Sequence, residues 1–114
     1  MYRIQIKRIY EAPSGADGYR MLVDRLWPRG LKKENAFLDE WNKAISPSDE
    51  LRKWFAHKPE RFKEFAKRYI KEIKANTEQV DRIRALLKKG NITLLYGARD
   101  NEINQAIVLK NFLE

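Results

Sequence analysis

The reading of the fold starts from GYRMLVDRLWPRG, residues 18–30. Met21, Leu22 and Val23 form a short apolar run suited to a strand, extended here to Arg20–Leu26. Trp27-Pro28-Arg29-Gly30 reads as a type I turn with Pro second and Gly fourth. Pro28 holds Trp27 extended, so the strand runs straight into the corner. A stiff strand-to-turn corner of this kind sets Arg25, Trp27 and Arg29 close together.

Working outward, Arg3–Tyr10 alternates apolar and polar residues, with Ile4 and Ile6 in phase, as a strand with one wet face does. Glu11–Gly18 is rich in loop formers and is too short for an ordinary helical crossover. Either the first two strands pair antiparallel, or a clipped turn replaces the helix. Leu31–Lys43 is ambiguous, with a strand near Trp41 favoured over a helix. Ser46 reads as an N-cap with Pro47 at the first helical position, beginning a helix that ends near His57.

Pro59 opens the next helix. Phe62, Phe65, Ala66, Tyr69, Ile70 and Ile73 then recur at helical spacing, the clearest amphipathic pattern in the chain. A further helix presents Val80, Ile83, Leu86 and Leu87, with Gly90 as its C′ residue. Asn91–Tyr96 is an apolar strand covered on both faces. Gly97–Asp100 is a loop, and Asn101–Leu113 a terminal helix capped by Asp100 or Asn101. The expected fold is α/β: a single small layered domain over residues 1–114, with a mixed or mostly parallel β-sheet flanked by helices. If the late strand runs parallel to strand two, the corner at 26–30 and the loop at 97–100 share one sheet edge, where open α/β sheets bind ligands.

The chain carries net charge +8, concentrated in two blocks. Residues 1–36 hold 8 basic and 4 acidic side chains, and residues 58–89 hold 11 and 5. Such a field attracts phosphates and nucleic acid. Solubility and ion pairing along helix faces account for it equally well. Lys63, Lys67, Lys71 and Lys74 line one helix flank, but interspersed glutamates read first as a solvated face. There is no cysteine, which excludes thiol catalysis and disulfides. A lone His57 makes a transition-metal site improbable, and no metal is expected. The carboxylate pairs at 39–40 and 49–50 lack a diagnostic magnesium spacing. The absence of a signal-peptide core or an apolar span gives a cytoplasmic expectation with no membrane partner.

Together DGYR (17–20), LVDRLWPRG (22–30), DEW (39–41), PS (47–48), LR (51–52), LLY (94–96), NQA (104–106) and VL (108–109) resemble the YeaO-like proteins, domain-of-unknown-function family 488. The likeness spans almost the whole chain. It implies a compact α/β domain and no established activity. Longer relatives carry a Cys-His-Arg motif after the last strand. This chain has Asn104-Gln105-Ala106 in the comparable region, so a thiol nucleophile does not carry over.

Candidate site residues follow from the corner and the loop. Arg20, Arg25 and Arg29 offer planar guanidinium forks for phosphate or carboxylate. Asp24 orients an arginine or serves as a base. Trp27 stacks on a flat ligand, plugs the core, or anchors a protein partner. Tyr96, Arg99 and Asp100 belong to the loop, and Asn104 binds a ligand or caps the helix. The leading expectation is a small anionic ligand held at this rim. The enzyme class and any cofactor are unknown, and nucleic-acid binding through the basic surface is the alternative.

Overall fold

The structure, a computed structural model, describes residues 2–114. Four strands form one sheet: β1 Ile4–Arg8, β2 Tyr19–Leu22, β3 Glu40–Trp41 and β4 Ile92–Tyr96. The order across the sheet is β1-β4-β2-β3 and every pairing is parallel. The fold is α/β, as the alternation of patterns implied.

The short first connection is explained by this order. β1 and β2 do not pair; β4 lies between them. The ten residues after Arg8 return across β4 with a single 3₁₀ turn at Gly15–Asp17. A five-residue strand is about 17 Å long, and ten extended residues reach about 33 Å, so no helix is needed. The clipped turn is therefore the alternative that holds.

The helices are α1 Lys33–Ala36, α2 Asp49–Phe55, α3 Phe62–Ala75, α4 Thr77–Leu87 and α5 Gln105–Leu113. Residues alternating along β4 serve two cores. Ile92, Leu94 and Tyr96 join Phe65, Tyr69, Ile73, Ile83 and Leu109 in the larger one. Leu95 joins Ile9 and Leu22 in a smaller one, walled by Trp27, Leu31, Leu38 and Trp41. The strand near Trp41 exists, with Trp41 aligned to Leu22. On α3, the residues read as apolar are all wholly or partly buried.

Several local boundaries differ from the sequence reading: β2 ends at Leu22 rather than Leu26, α5 begins at Gln105 rather than Asn101, and α4 stops at Leu87 with Lys88 as its cap, so Gly90 is not its C′ residue. The corner turn is displaced by one residue: Leu31 N–H reaches Pro28 O at 3.4 Å, which puts Gly30 third with φ 76°. That positive φ belongs to the third position of a type II turn, where glycine is free of strain. Ser48 rather than Ser46 caps α2, its Oγ accepting from Leu51 N–H at 3.2 Å; Ser46 Oγ instead donates to Asn42 O at 2.9 Å. Asn104, rather than Asp100 or Asn101, caps α5.

Candidate functional site

The two corners meet. After β2 the chain continues paired for one residue, Val23 N–H to Leu95 O at 3.0 Å. This places Asp24 beside Gly97, whose N–H donates to Asp24 Oδ2 at 2.8 Å. Gln105, in the first turn of α5, donates to Asp24 Oδ1. The carboxylate thus ties the β2 corner to the β4–α5 loop and orients no arginine. Burial pushes its pKa up to about 6, against the opposing pull of the Gly97 and Gln105 hydrogen bonds.

Around it opens a hollow of about 260 Å³, lined by Asp24, Arg25, Trp27, Arg29, Arg52 and His57 among others. Phe55, Phe65, Pro28 and Pro47 supply apolar wall. Three arginines line one space, and they differ in their remaining capacity. Arg25 is partly committed: Nε donates to Pro47 O at 2.8 Å, and Nη2 to Lys43 O and Ser46 O at 3.3 Å each. Its Nη1 has no partner among the described residues. Arg29 is exposed on the turn and pairs with no described carboxylate. Its backbone carbonyl is held by the Tyr10 hydroxyl at 2.7 Å, which fixes the turn. Arg52 meets Asp49 at 3.3 Å through Nη2, while its Nε is buried with no hydrogen-bond partner.

Arg52 was not legible as a site residue. It rides on α2, more than twenty positions from the corner, and only its place in the family-like Leu51-Arg52 pair marked it. His57 also lines the hollow. It follows α2 with φ 55°, beside Ala56 at φ 49°. Two successive non-glycine residues in the left-handed region are uncommon. They swing the chain out of α2 along the hollow's rim.

Several expected members lie elsewhere. Arg20 is at the opposite end of β2, buried, bonded to Asp17 and to the carbonyls of Ala36 and Phe37. The reason is strand geometry: residues 20 and 25 are separated along an extended chain by roughly 16 Å. Tyr96 is buried in the larger core rather than set in the lining. Asn104 is consumed as the α5 cap, accepting from Ile107 N–H at 3.0 Å and donating to Asp100 O at 2.9 Å. Arg99 and Asp100 line an adjoining hollow of about 420 Å³ that shares His57, Gly97 and Ala98 with the first. Asp100 Oδ1 is engaged by the N–H groups of Glu102 and Ile103.

Trp27 plugs the smaller core, one of its expected roles, and also lines the hollow. Its ring packs edge-on against Trp41 at 5.2 Å, and its indole N–H donates to Leu31 O at 2.6 Å. The smaller core therefore holds the tryptophan in place while the same side chain walls the hollow. No group of three or more metal-ligating side chains occurs among the described residues. No helix among them is long and apolar enough to cross a membrane.

The chain belongs to the DUF488 family: residues 3–114 match the profile described as the inactive DUF488-N3 subclade. It is similar to the uncharacterized protein YeaO of Escherichia coli K12, at 44% identity over 110 residues covering 96% of each chain. It is also similar to the uncharacterized protein Mb3100c of Mycobacterium bovis, at 38% identity over 97% of this chain and 93% of that one. No solved structure matches it.

Proposed function

We propose that this protein binds a small oxyanion in the hollow at the carboxyl ends of β2 and β4, and holds it without converting it. One observation carries the reading. Arg25, Arg29 and Arg52 line the same hollow, and Arg25 Nη1 and the Arg29 guanidinium have no partner among the described residues. A guanidinium without a protein partner keeps its hydrogen-bonding capacity for a ligand. A phosphate or carboxylate oxygen between these arginines takes up that capacity through charge-assisted bonds. The apolar walls thin the water around it and strengthen the attraction.

Two features favour binding over turnover. The matched subclade is described as inactive. Where longer relatives carry Cys-His-Arg, this chain's Asn104 and Gln105 are spent on capping α5 and on holding Asp24. A cytoplasmic location, where free phosphates and phosphorylated metabolites are abundant, completes the reading.

The test is calorimetric titration of the full chain with inorganic phosphate. Arg29→Ala and Arg52→Ala should each weaken binding about tenfold or more, the scale of one lost charge-assisted bond. A Lys67→Gln/Lys71→Gln double variant should bind as the parent does. Full affinity in both arginine variants overturns the reading.

A second reading rests on a different observation. Lys63, Lys67, Lys71 and Lys74 are all exposed along α3 and pair with no described carboxylate. Oligonucleotide binding that weakens steeply with salt, and is lost in the lysine double variant, favours that surface instead.

A further inference from the structure

We propose that Asp24 makes this hollow selective for oxyanions that still carry a proton, hydrogen phosphate being the simplest, over fully deprotonated ones such as sulfate. The inference deepens the oxyanion reading above and rests on it.

Three arginines alone do not distinguish hydrogen phosphate from sulfate. Both ions are tetrahedral, of similar size, and dianionic or nearly so at neutral pH, and each meets guanidinium forks in the same way. Asp24 is the group in the lining that does distinguish them. Its carboxylate shares the hollow with Arg25, Arg29 and Arg52 but forms no ion pair among the described residues. Oδ2 accepts from Gly97 N–H and Oδ1 from Gln105, which leaves acceptor capacity on both oxygens. These two bonds, from the β4–α5 loop and from the first turn of α5, hold the carboxylate in place when an anion arrives.

The contents of the hollow then decide the sign of the interaction. An oxygen of sulfate brought to Asp24 meets a like charge beside apolar walls, with nothing to bridge the two. A P–OH at the same place donates into the carboxylate and makes a short O–H···O⁻ bond of the strong, charge-assisted kind. At pH 7.5, hydrogen phosphate supplies that donor and sulfate has none. Asp24 is itself chiefly ionised there, even with burial raising its pKa to about 6, so it accepts rather than donates. Gly97 serves the same end. A Cβ at that position would stand 2.9 Å from Oδ2 and crowd the oxygen an incoming hydroxyl must reach.

The experiment is titration of the full chain at pH 7.5 with inorganic phosphate and, separately, with sulfate, for the wild type, Asp24→Asn and Asp24→Ser. Wild type should bind phosphate about tenfold or more tightly than sulfate, the scale of one bond to a charged group. Asp24→Asn should lose that ratio by gaining sulfate affinity, since an amide N–H serves either ion. Asp24→Ser reports the same loss if the asparagine variant does not fold. Equal binding of the two ions by wild type overturns the inference and leaves the oxyanion hollow standing. A preference undiminished in a folded Asp24 variant does the same. Failure of wild type to bind either ion at millimolar concentration overturns the oxyanion reading and this inference with it.

Discussion

Asp17 and Asp24 stand at opposite ends of β2, and the chain surrounds them differently. Asp17 sits at the amino end, 4% exposed. Burial alone would raise its pKa; the Ser14 N–H, Lys7 and Arg20 outweigh burial and hold the carboxyl below its ordinary range. Its own backbone carbonyl accepts the Thr93 hydroxyl at 2.7 Å. Around it Arg20 spends Nε on Phe37 O at 2.8 Å and Nη2 on Ala36 O at 3.0 Å, so the cation is as fully engaged as the anion. At the carboxyl end Asp24 has two hydrogen bonds, no ion pair among the described residues, and three arginines around a shared hollow. One end of the sheet is closed by its charges; the other is left with charges unspent. Complete mutual satisfaction marks structure, and incomplete satisfaction beside a cavity is what the oxyanion proposal rests on.

The comparison is broken most severely at the closed end. Arg20→Ala should destabilise the fold by about 3–5 kcal/mol, the range for removing one partner of a buried pair. The loss is read as a lower midpoint of urea unfolding. A change under about 1 kcal/mol would mean that Lys7 at 3.1 Å already suffices for Asp17 and that this end is less closed than drawn.

At the open end the sign with pH is reversed. Asp24 has a raised pKa, so the folded protein holds its proton more firmly than the unfolded chain does. Its stabilising contribution is whole below about pH 3.8 and is lost as pH rises through about 6. Asp24→Asn should remove a decline of up to about 3 kcal/mol across that window, visible when unfolding midpoints of the two proteins are compared between pH 4 and 7. Identical pH profiles would show that Asp24 titrates normally. Asp17 contributes the opposite slope in both proteins, because its pKa is lowered.

Gly97→Ala sharpens the comparison with a smaller effect. The added Cβ must displace the Asp24 carboxylate, which suggests a loss of about 1–3 kcal/mol by overpacking. Phosphate affinity should fall with it. Unchanged stability together with unchanged affinity would show that the carboxylate has room to move aside and is not held as described.

Much of this contrast was hidden from a linear reading because both ends are arginine- and aspartate-rich. DGYR and VDRLWPR have the same chemical vocabulary. Arg20 and Arg25 differ by position along a strand, which sends them to opposite edges of the sheet. Arg29 and Trp27 were legible because Pro28 and Gly30 impose a turn whatever surrounds them. Arg52 was not, because helical spacing says that it faces partly inward but not what it faces. Gln105 was read only as part of a segment that differs from longer relatives, and its bond to Asp24 depends on where α5 docks.

By itself the sequence determined most of the strands and helices, though not α1 or the end of β2, and the two-sided burial of the late strand. It also determined that a turn follows Trp27, though not that it spans 28–31, because each follows from local periodicity and from what proline and glycine permit. The order β1-β4-β2-β3, the alignment of Asp24 with Gly97, and the meeting of Arg25, Arg29 and Arg52 were decided only by tertiary structure. Apart from Arg25 and Arg29, close neighbours in the chain, those relations join residues from 19 to 88 positions apart, and pairing at such separations is set by how the buried faces of the sheet fit their covering helices, which no local pattern encodes.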